Sequence, residues 1–172
     1  IDCELTLKEK LEARKTINAF RAWYTSRAEK NKYSLMWDGG INMVFNGNRS
    51  INLYEVYWNY NYIGKSWSYY PGIEKYLTKR NWNHDAEYGK TVANKIIDPN
   101  YQDFIVEVMI EKQKRNNTDG IMLDWWKDNH RRSSGYSKNQ VRKARIEIAK
   151  KLRNEIGPDK IILGNVNWRK DK

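Results

Sequence analysis

The fold is decided by Thr118-Asp119-Gly120-Ile121-Met122-Leu123-Asp124-Trp125-Trp126, a short apolar run closed downstream by a carboxylate and two indoles. Ile121, Met122 and Leu123 are too few for a helix, and an apolar run without alternation suits a strand covered on both faces. Asp119-Gly120 is a turn pair that launches this strand, and Asp124 falls where the strand leaves the core. In open parallel sheets and (β/α) barrels, working residues come from the carboxyl ends of strands. Position and chemistry therefore both single out Asp124.

Just upstream, residues 92–97 read as a strand, and Asp98-Pro99 reads as a helix start with Asp as N-cap and Pro at the first helical position. The helix runs to about residue 114, with Tyr101, Phe104, Ile105, Val108, Met109 and the stem of Lys112 on one stripe. Arg115-Asn116-Asn117 ends it. Strand, helix and strand make a βαβ unit, whose right-handed crossover sets the two strands parallel. Downstream, a polar loop over residues 127–135 precedes a helix over about 137–156, with Val141, Ala144, Ile148, Ala149 and Leu152 on one side. Gly157-Pro158 stops that helix, and residues 160–165 predict a further buried strand with Asn165 at its carboxyl end. The expected fold class is α/β, a (β/α) TIM-barrel-like arrangement of parallel strands. A single domain over residues 1–172 falls short of the roughly 250 residues of a closed barrel, so an incomplete barrel, a fragment of a longer one, is expected.

Toward the N-terminus, Leu7, Leu11, Ile17, Phe20 and Tyr24 recur at near-helical spacing, and Thr6 with Glu9 forms a capping box, which predicts a helix over residues 4–30. Residues 33–37 predict a strand that stops at Asp38-Gly39-Gly40, and residues 41–45 a second one. Residues 51–88 are dense in Tyr and Trp with weak periodicity, so they predict a short helix near 73–79 and otherwise long loops over the mouth of the site. Those rings either pack on one another or offer a stacking surface to a ligand.

Hydrophobic residues make up 40% of the chain and charged residues 31%, and 8 Trp and 12 Tyr mark a packed, aromatic-rich domain rather than a disordered one. The net charge of +11 bears on partners, not on fold. Residues 127–151 are its densest part, containing His130-Arg131-Arg132, Lys138, Arg142, Lys143, Arg145, Lys150 and Lys151. A solvated helix face is the favoured reading there, and a nucleic-acid surface the alternative. Cys3 is the only cysteine, which excludes an internal disulfide and a cysteine-based zinc site. No run of about 18 apolar residues is present, so no membrane span is expected, and the first residues are not signal-like.

Glycosidic cleavage needs two carboxylates about 5 to 9.5 Å apart, one to protonate the leaving oxygen and one to act as nucleophile or base. Asp124 supplies one, unless it only caps the following segment, and Asp128 in the next loop is the first candidate for the other. Asp98, Asp38, Asp85, Glu87 and Glu55 also fall near predicted strand ends or in the aromatic stretch, although Asp98 reads better as a helix cap and Asp119 as a turn residue. Trp37, Asp38, His84, Trp125, Trp126 and Asn165 are the candidate substrate-binding residues. His84 and His130 stand far apart without a zinc-ligand spacing, so no metal is expected. The absence of a Gly-x-Ser-x-Gly elbow, a Walker loop and a Gly-x-Gly-x-x-Gly fingerprint argues against serine hydrolase, nucleoside triphosphatase and dinucleotide chemistry, and no cofactor is expected.

Ile96-Ile97-Asp98-Pro99-Asn100-Tyr101-Gln102-Asp103-Phe104, followed by Thr118 to Asp124, resembles the glycoside hydrolases related to endo-α-1,4-polygalactosaminidases. In those barrels a D-P-x-Y-R-D-F segment opens the helix before an F-D-G-I-F-L-D strand. Residues 157–165 look like the following strand of that family, so the resemblance covers about residues 92–167. It implies a (β/α)₈ barrel, a carbohydrate substrate, Asp124 as a catalytic carboxylate, and leans towards a secreted or periplasmic setting. The stretch is also similar to the chitinase motif Asp-Gly-x-Asp-x-Asp-x-Glu, but Met122 stands at the middle Asp and Trp126 at the acidic Glu, which argues against a chitinase mechanism. The expected function is thus glycoside hydrolysis, with a non-catalytic carbohydrate-binding protein and a basic nucleic-acid-binding protein as alternatives.

Overall fold

The computed structural model describes residues 6–9, 21–23, 35–38, 51–63, 69–85, 89–127 and 135–164. The elements along these residues are β1 (Arg21–Trp23), β2 (Leu35–Asp38), β3 (Ile51–Val56), β4 (Tyr60–Tyr62), a 3₁₀ turn (Ile73–Tyr76), β5 (Leu77–Asp85), β6 (Gly89–Asn94), α1 (Pro99–Arg115), β7 (Gly120–Leu123), α2 (Lys138–Ile156) and β8 (Ile161–Gly164). One sheet runs β1-β2-β3-β7-β8 with every neighbour parallel. A second, antiparallel sheet runs β4-β6-β5 and is inserted between β3 and α1. The main sheet with α1 and α2 is the (β/α) barrel type expected from the sequence.

Two opposite faces of the main sheet are apolar. On one, Val56, Ile121 and Leu123 pack with Ile105 and Met109 of α1 and Val141, Ala144, Ile148 and Leu152 of α2. On the other, Leu53 and Met122 pack with Leu7, Ile161 and Leu163. Residues alternate between faces along a strand, so the first set lines the helix side and the second the barrel interior. Full burial of each aliphatic side chain contributes about 1.5–3 kcal/mol, which is why β7 carries large apolar residues on both faces.

Helix signals are realised as read. The Asp98 carboxylate accepts from the N–H of Asn100 at 2.9 Å, with Pro99 at the first turn of α1. Ser137 and Gln140 form a reciprocal capping box on α2, at 2.8 and 3.2 Å. Gly157 ends α2 with φ of 77°, a left-handed value that glycine adopts without strain. At the start of β7, Gly120 meets β8 so closely that a Cβ would lie 2.0 Å from the carbonyl oxygen of Ile161. Asp119 belongs to this junction as well, since its carbonyl accepts from the N–H of Ile161 at 2.9 Å.

Four expectations are corrected. Of the strand expected over residues 92–97 only 92–94 are strand, as the end of β6, which pairs with β4 and β5, so the strand parallel to β7 that precedes α1 is β3. The βαβ crossover exists, but an antiparallel sheet interrupts it. Residues 51–88 hold β3, β4 and β5 in place of long loops, and the helix near 73–79 is a single 3₁₀ turn that passes straight into β5. The helix expected over 4–30 does not run its length, because Arg21–Trp23 is a strand of the main sheet, although the Thr6–Glu9 capping box is formed. β8 is half-buried instead of buried, as the outermost strand of the described sheet. The strand expected over 41–45 lies outside the described residues.

Candidate active site

Asp124 is the first residue past β7, at its carboxyl end, and only 2% of it is exposed. Its N–H donates to the carbonyl of Val56 at 3.2 Å, continuing the β3–β7 ladder by one rung. Alternation from Met122, which faces the interior, puts Asp124 on the interior side too. The indole N–H of Trp58 donates to the carbonyl of Asp124 at 3.0 Å, tying the chain that leaves β3 to the chain that leaves β7.

Tyrosines crowd the same end. The rings of Tyr57, Tyr60 and Tyr62 contact one another edge-to-face, with centroids 5.4 to 5.5 Å apart. Tyr60 is fully buried, and its phenol is pushed well above the ordinary tyrosine range, first by burial and then by the negative charge of Asp124. These rings favour the packing reading of the aromatic stretch. Behind them, the carbonyl of Trp58 accepts from the Tyr101 hydroxyl and from Asn94 Nδ2 at 3.4 Å, and Asn94 Nδ2 also donates to the Tyr101 hydroxyl at 2.8 Å. This buried network joins the turn after β3 to β6 and α1, so the inserted sheet is anchored at the carboxyl end of the main one. Asn59 follows Trp58 and is also fully buried.

The two indoles after Asp124 part company. Trp125 is in the left-handed region at φ of 52°, rare for a bulky residue and costly, and Lys127 Nζ lies 5.1 Å from its ring centroid. Trp126 turns to the helix side. Its ring meets Trp58 edge-on at 4.8 Å, lies where a Cβ on Gly164 would be 2.6 Å from it, and sits beneath the Arg145 guanidinium at 5.6 Å. Arg145 Nη1 also donates to the Trp126 carbonyl at 2.9 Å. Trp126 is thereby committed to packing between β8 and α2, leaving Trp125 as the indole beside Asp124.

Trp37 and Asp38 are the last two residues of β2, level with Leu53 and Tyr54 on β3, so the backbone places both at the carboxyl end of the sheet. His84 is elsewhere: it belongs to β5 in the antiparallel sheet, as does Asp85. Asn165 follows β8 directly, and it, Asp128, His130 and Glu87 lie outside the described residues. Asp98 is a helix cap. Sequence reading missed Trp58, Asn59 and Tyr60, because it did not recognise β3, whose Ile51-Asn52-Leu53-Tyr54-Glu55-Val56 alternation was the available signal. Among the described residues no group of three or more His, Cys, Asp or Glu is placed to hold a metal ion, and no helix is long and apolar enough to cross a membrane.

Parallel strands, flanking helices and an aspartate at a strand's carboxyl end define the class as a (β/α)-barrel-type domain. No known sequence family matches this chain, and no curated protein matches it in sequence. Among solved structures, the fold is similar to the glycoside hydrolase domain of PelA from Pseudomonas aeruginosa, with a TM-score of 0.58 and 10% identity over 86% of this chain and 58% of that one. A glutamate-to-alanine variant of the same domain matches at a TM-score of 0.58, 11% identity and the same coverage. This chain thus spans little more than half the length of the domains it matches. At such identity the likeness establishes the fold alone.

Proposed function

We propose that this chain forms part of a glycoside hydrolase that cleaves a poly- or oligosaccharide, with Asp124 as a catalytic carboxylate. The observation that carries this reading is the place of Asp124: at the carboxyl end of β7, facing the barrel interior and shielded by aromatic rings, in a fold shared with a glycoside hydrolase domain. A carboxylate there can act on an anomeric carbon with water largely excluded, which strengthens its electrostatic effect on the developing charge.

Trp125 is the stacking ring of this reading, and Trp37 and Asp38, the last two residues of β2, together with Asn165, the residue after β8 in sequence, are its further candidate contacts for a glycan. Asp128, four residues after Asp124 in sequence, is a further candidate carboxylate. The resemblance to endo-α-1,4-polygalactosaminidase-related enzymes makes an α-1,4-linked polygalactosamine the first substrate to try. Release of reducing ends from that polymer and from a neutral and an anionic polysaccharide, by the wild-type chain and by Asp124→Asn, tests the reading. Hydrolysis that is lost in Asp124→Asn supports it, and equal hydrolysis by both removes Asp124 from the mechanism.

A further inference from the structure

Asp124 needs a partner, and β3 supplies a second interior carboxylate. Glu55 is level with Met122 in the β3–β7 register, two residues before Asp124 on the neighbouring strand. It alternates with Leu53, which packs with Met122 on the interior face, so Glu55 and Asp124 share that face. A rise of about 3.3 Å per residue and a strand spacing of about 4.8 Å put their Cα atoms about 8 Å apart along the diagonal. Two carboxyl groups carried on parallel side chains at that spacing fall in the range of about 5 to 9.5 Å used for glycosidic cleavage.

We propose that Glu55 is the second catalytic carboxylate, acting with Asp124 across the β3–β7 pair. This assignment rests on the glycoside hydrolase reading above and deepens it. An interior position next to Leu53 and Met122 would ordinarily hold an aliphatic residue, because burying a carboxyl group carries a desolvation cost of several kcal/mol. Glu55 occupies it at 3% exposure.

A second, independent sign comes from the turn that follows β3. Asn59 is fully buried, and among the described residues neither its Nδ2 nor its Oδ1 has a hydrogen-bond partner. It stands between Trp58, whose indole holds the Asp124 carbonyl, and Tyr60, whose phenol lies within the field of the Asp124 charge. Buried amides are almost always paired, and a hydroxyl-rich ligand offers both the donor and the acceptor that this one lacks.

In the reaction, one carboxyl group gives its proton to the glycosidic oxygen as the bond from that oxygen to the anomeric carbon breaks. The other, as carboxylate, bonds to the anomeric carbon and is displaced by water, or takes the proton of a water that attacks it. Either way one water is consumed and its hydroxyl ends on the anomeric carbon; its remaining proton returns to the acid in the first case, and in the second it stays on the base while solvent reprotonates the acid.

The test measures kcat and Tm for the whole chain, Glu55→Gln, Glu55→Asp and Asp124→Asn on whichever of the three polysaccharides the wild type cleaves. Glu55→Gln is expected to lose about 10²- to 10⁴-fold in kcat with Tm preserved. Added azide, or a substrate with an activated leaving group, should restore part of that loss, which a merely structural role would not allow. Should Glu55→Gln fold poorly, Glu55→Asp keeps the charge but withdraws it by one methylene, and a fall in kcat of more than about tenfold at unchanged Tm supports the same role. Wild-type kcat in Glu55→Gln or Glu55→Asp overturns the assignment of Glu55 while leaving that of Asp124 intact. A wild-type chain that cleaves none of the three overturns both.

Discussion

The indole N–H of Trp58 donates to the backbone carbonyl of Asp124 across 3.0 Å, in a fully buried contact between residues 66 positions apart in sequence. Through it the turn leaving β3 fixes the turn leaving β7, and the orientation of Asp124 depends on a side chain from another strand. Trp58→Phe keeps most of the packing but removes that hydrogen bond, and is expected to cost about 1–3 kcal/mol. Trp58→Ala, which also opens a cavity, should cost about 3–5 kcal/mol. Urea unfolding of both variants and of the wild type measures these losses, and a Trp58→Phe protein as stable as the wild type would show that the hydrogen bond contributes little.

Glycines at the two ends of the β7–β8 pair should respond differently to a methyl group. At Gly120 the new Cβ would press on the Ile161 backbone, 2.0 Å away, so the strands must separate and Gly120→Ala should cost more than about 3 kcal/mol. At Gly164 the nearest atoms belong to the Trp126 indole, 2.6 Å away, and a side chain can turn. Gly164→Ala should cost about 1–3 kcal/mol and perturb tryptophan fluorescence. Thermal unfolding with fluorescence detection checks both.

Asp98 is expected to be a cap without a catalytic role. Asp98→Ala removes the acceptor for the Asn100 N–H and should lower stability by about 0.5–2 kcal/mol. Asp98→Asn retains an acceptor and should leave both stability and hydrolysis nearly unchanged. A loss of hydrolysis in Asp98→Asn at full stability would move this residue into the site.

Alkaline pH should unfold the protein through its buried phenols. Burial raises Tyr60, Tyr70 and Tyr101 above the ordinary value of about 10, and the Asp124 charge adds to the effect at Tyr60. In the unfolded chain the same groups lose their protons near pH 10, so above that pH the unfolded state binds fewer protons and stability falls as pH rises. The contribution is whole below about pH 10, and each phenol should remove about 1.4 kcal/mol by pH 11. Circular dichroism followed from pH 8 to 12 should change together with the share of the tyrosinate absorbance that the buried phenols supply. Full tyrosinate absorbance in a still-folded protein would contradict the burial.

Much of the main sheet was legible because β7, α1, α2 and β8 carry strong local signals: Asp119-Gly120, Asp98-Pro99, Ser137 with Gln140, and Gly157-Pro158. β3 was not. Its alternation is interrupted by tyrosines that also recur through β4 and β5, and only the pairing with β2 and β7 distinguishes a barrel strand from the inserted sheet. The same gap moved β6 into the wrong sheet, since a short apolar run does not reveal its partner. The aspartate at the strand end could be read from sequence, whereas Glu55, Asn59 and Tyr60 could not be ranked without register. The separation of Trp125 from Trp126 was likewise invisible, because it depends on a left-handed backbone angle and on the side chain of Arg145 from α2.

The most direct measurement is the ratio of kcat/KM between the wild type and Asp124→Asn on a polysaccharide that the wild type cleaves, with Tm recorded for both. Asparagine keeps the shape of the side chain and removes its charge and its proton chemistry, so the account predicts a loss of at least about 10²-fold at unchanged Tm. Equal kcat/KM values for the two proteins would contradict it.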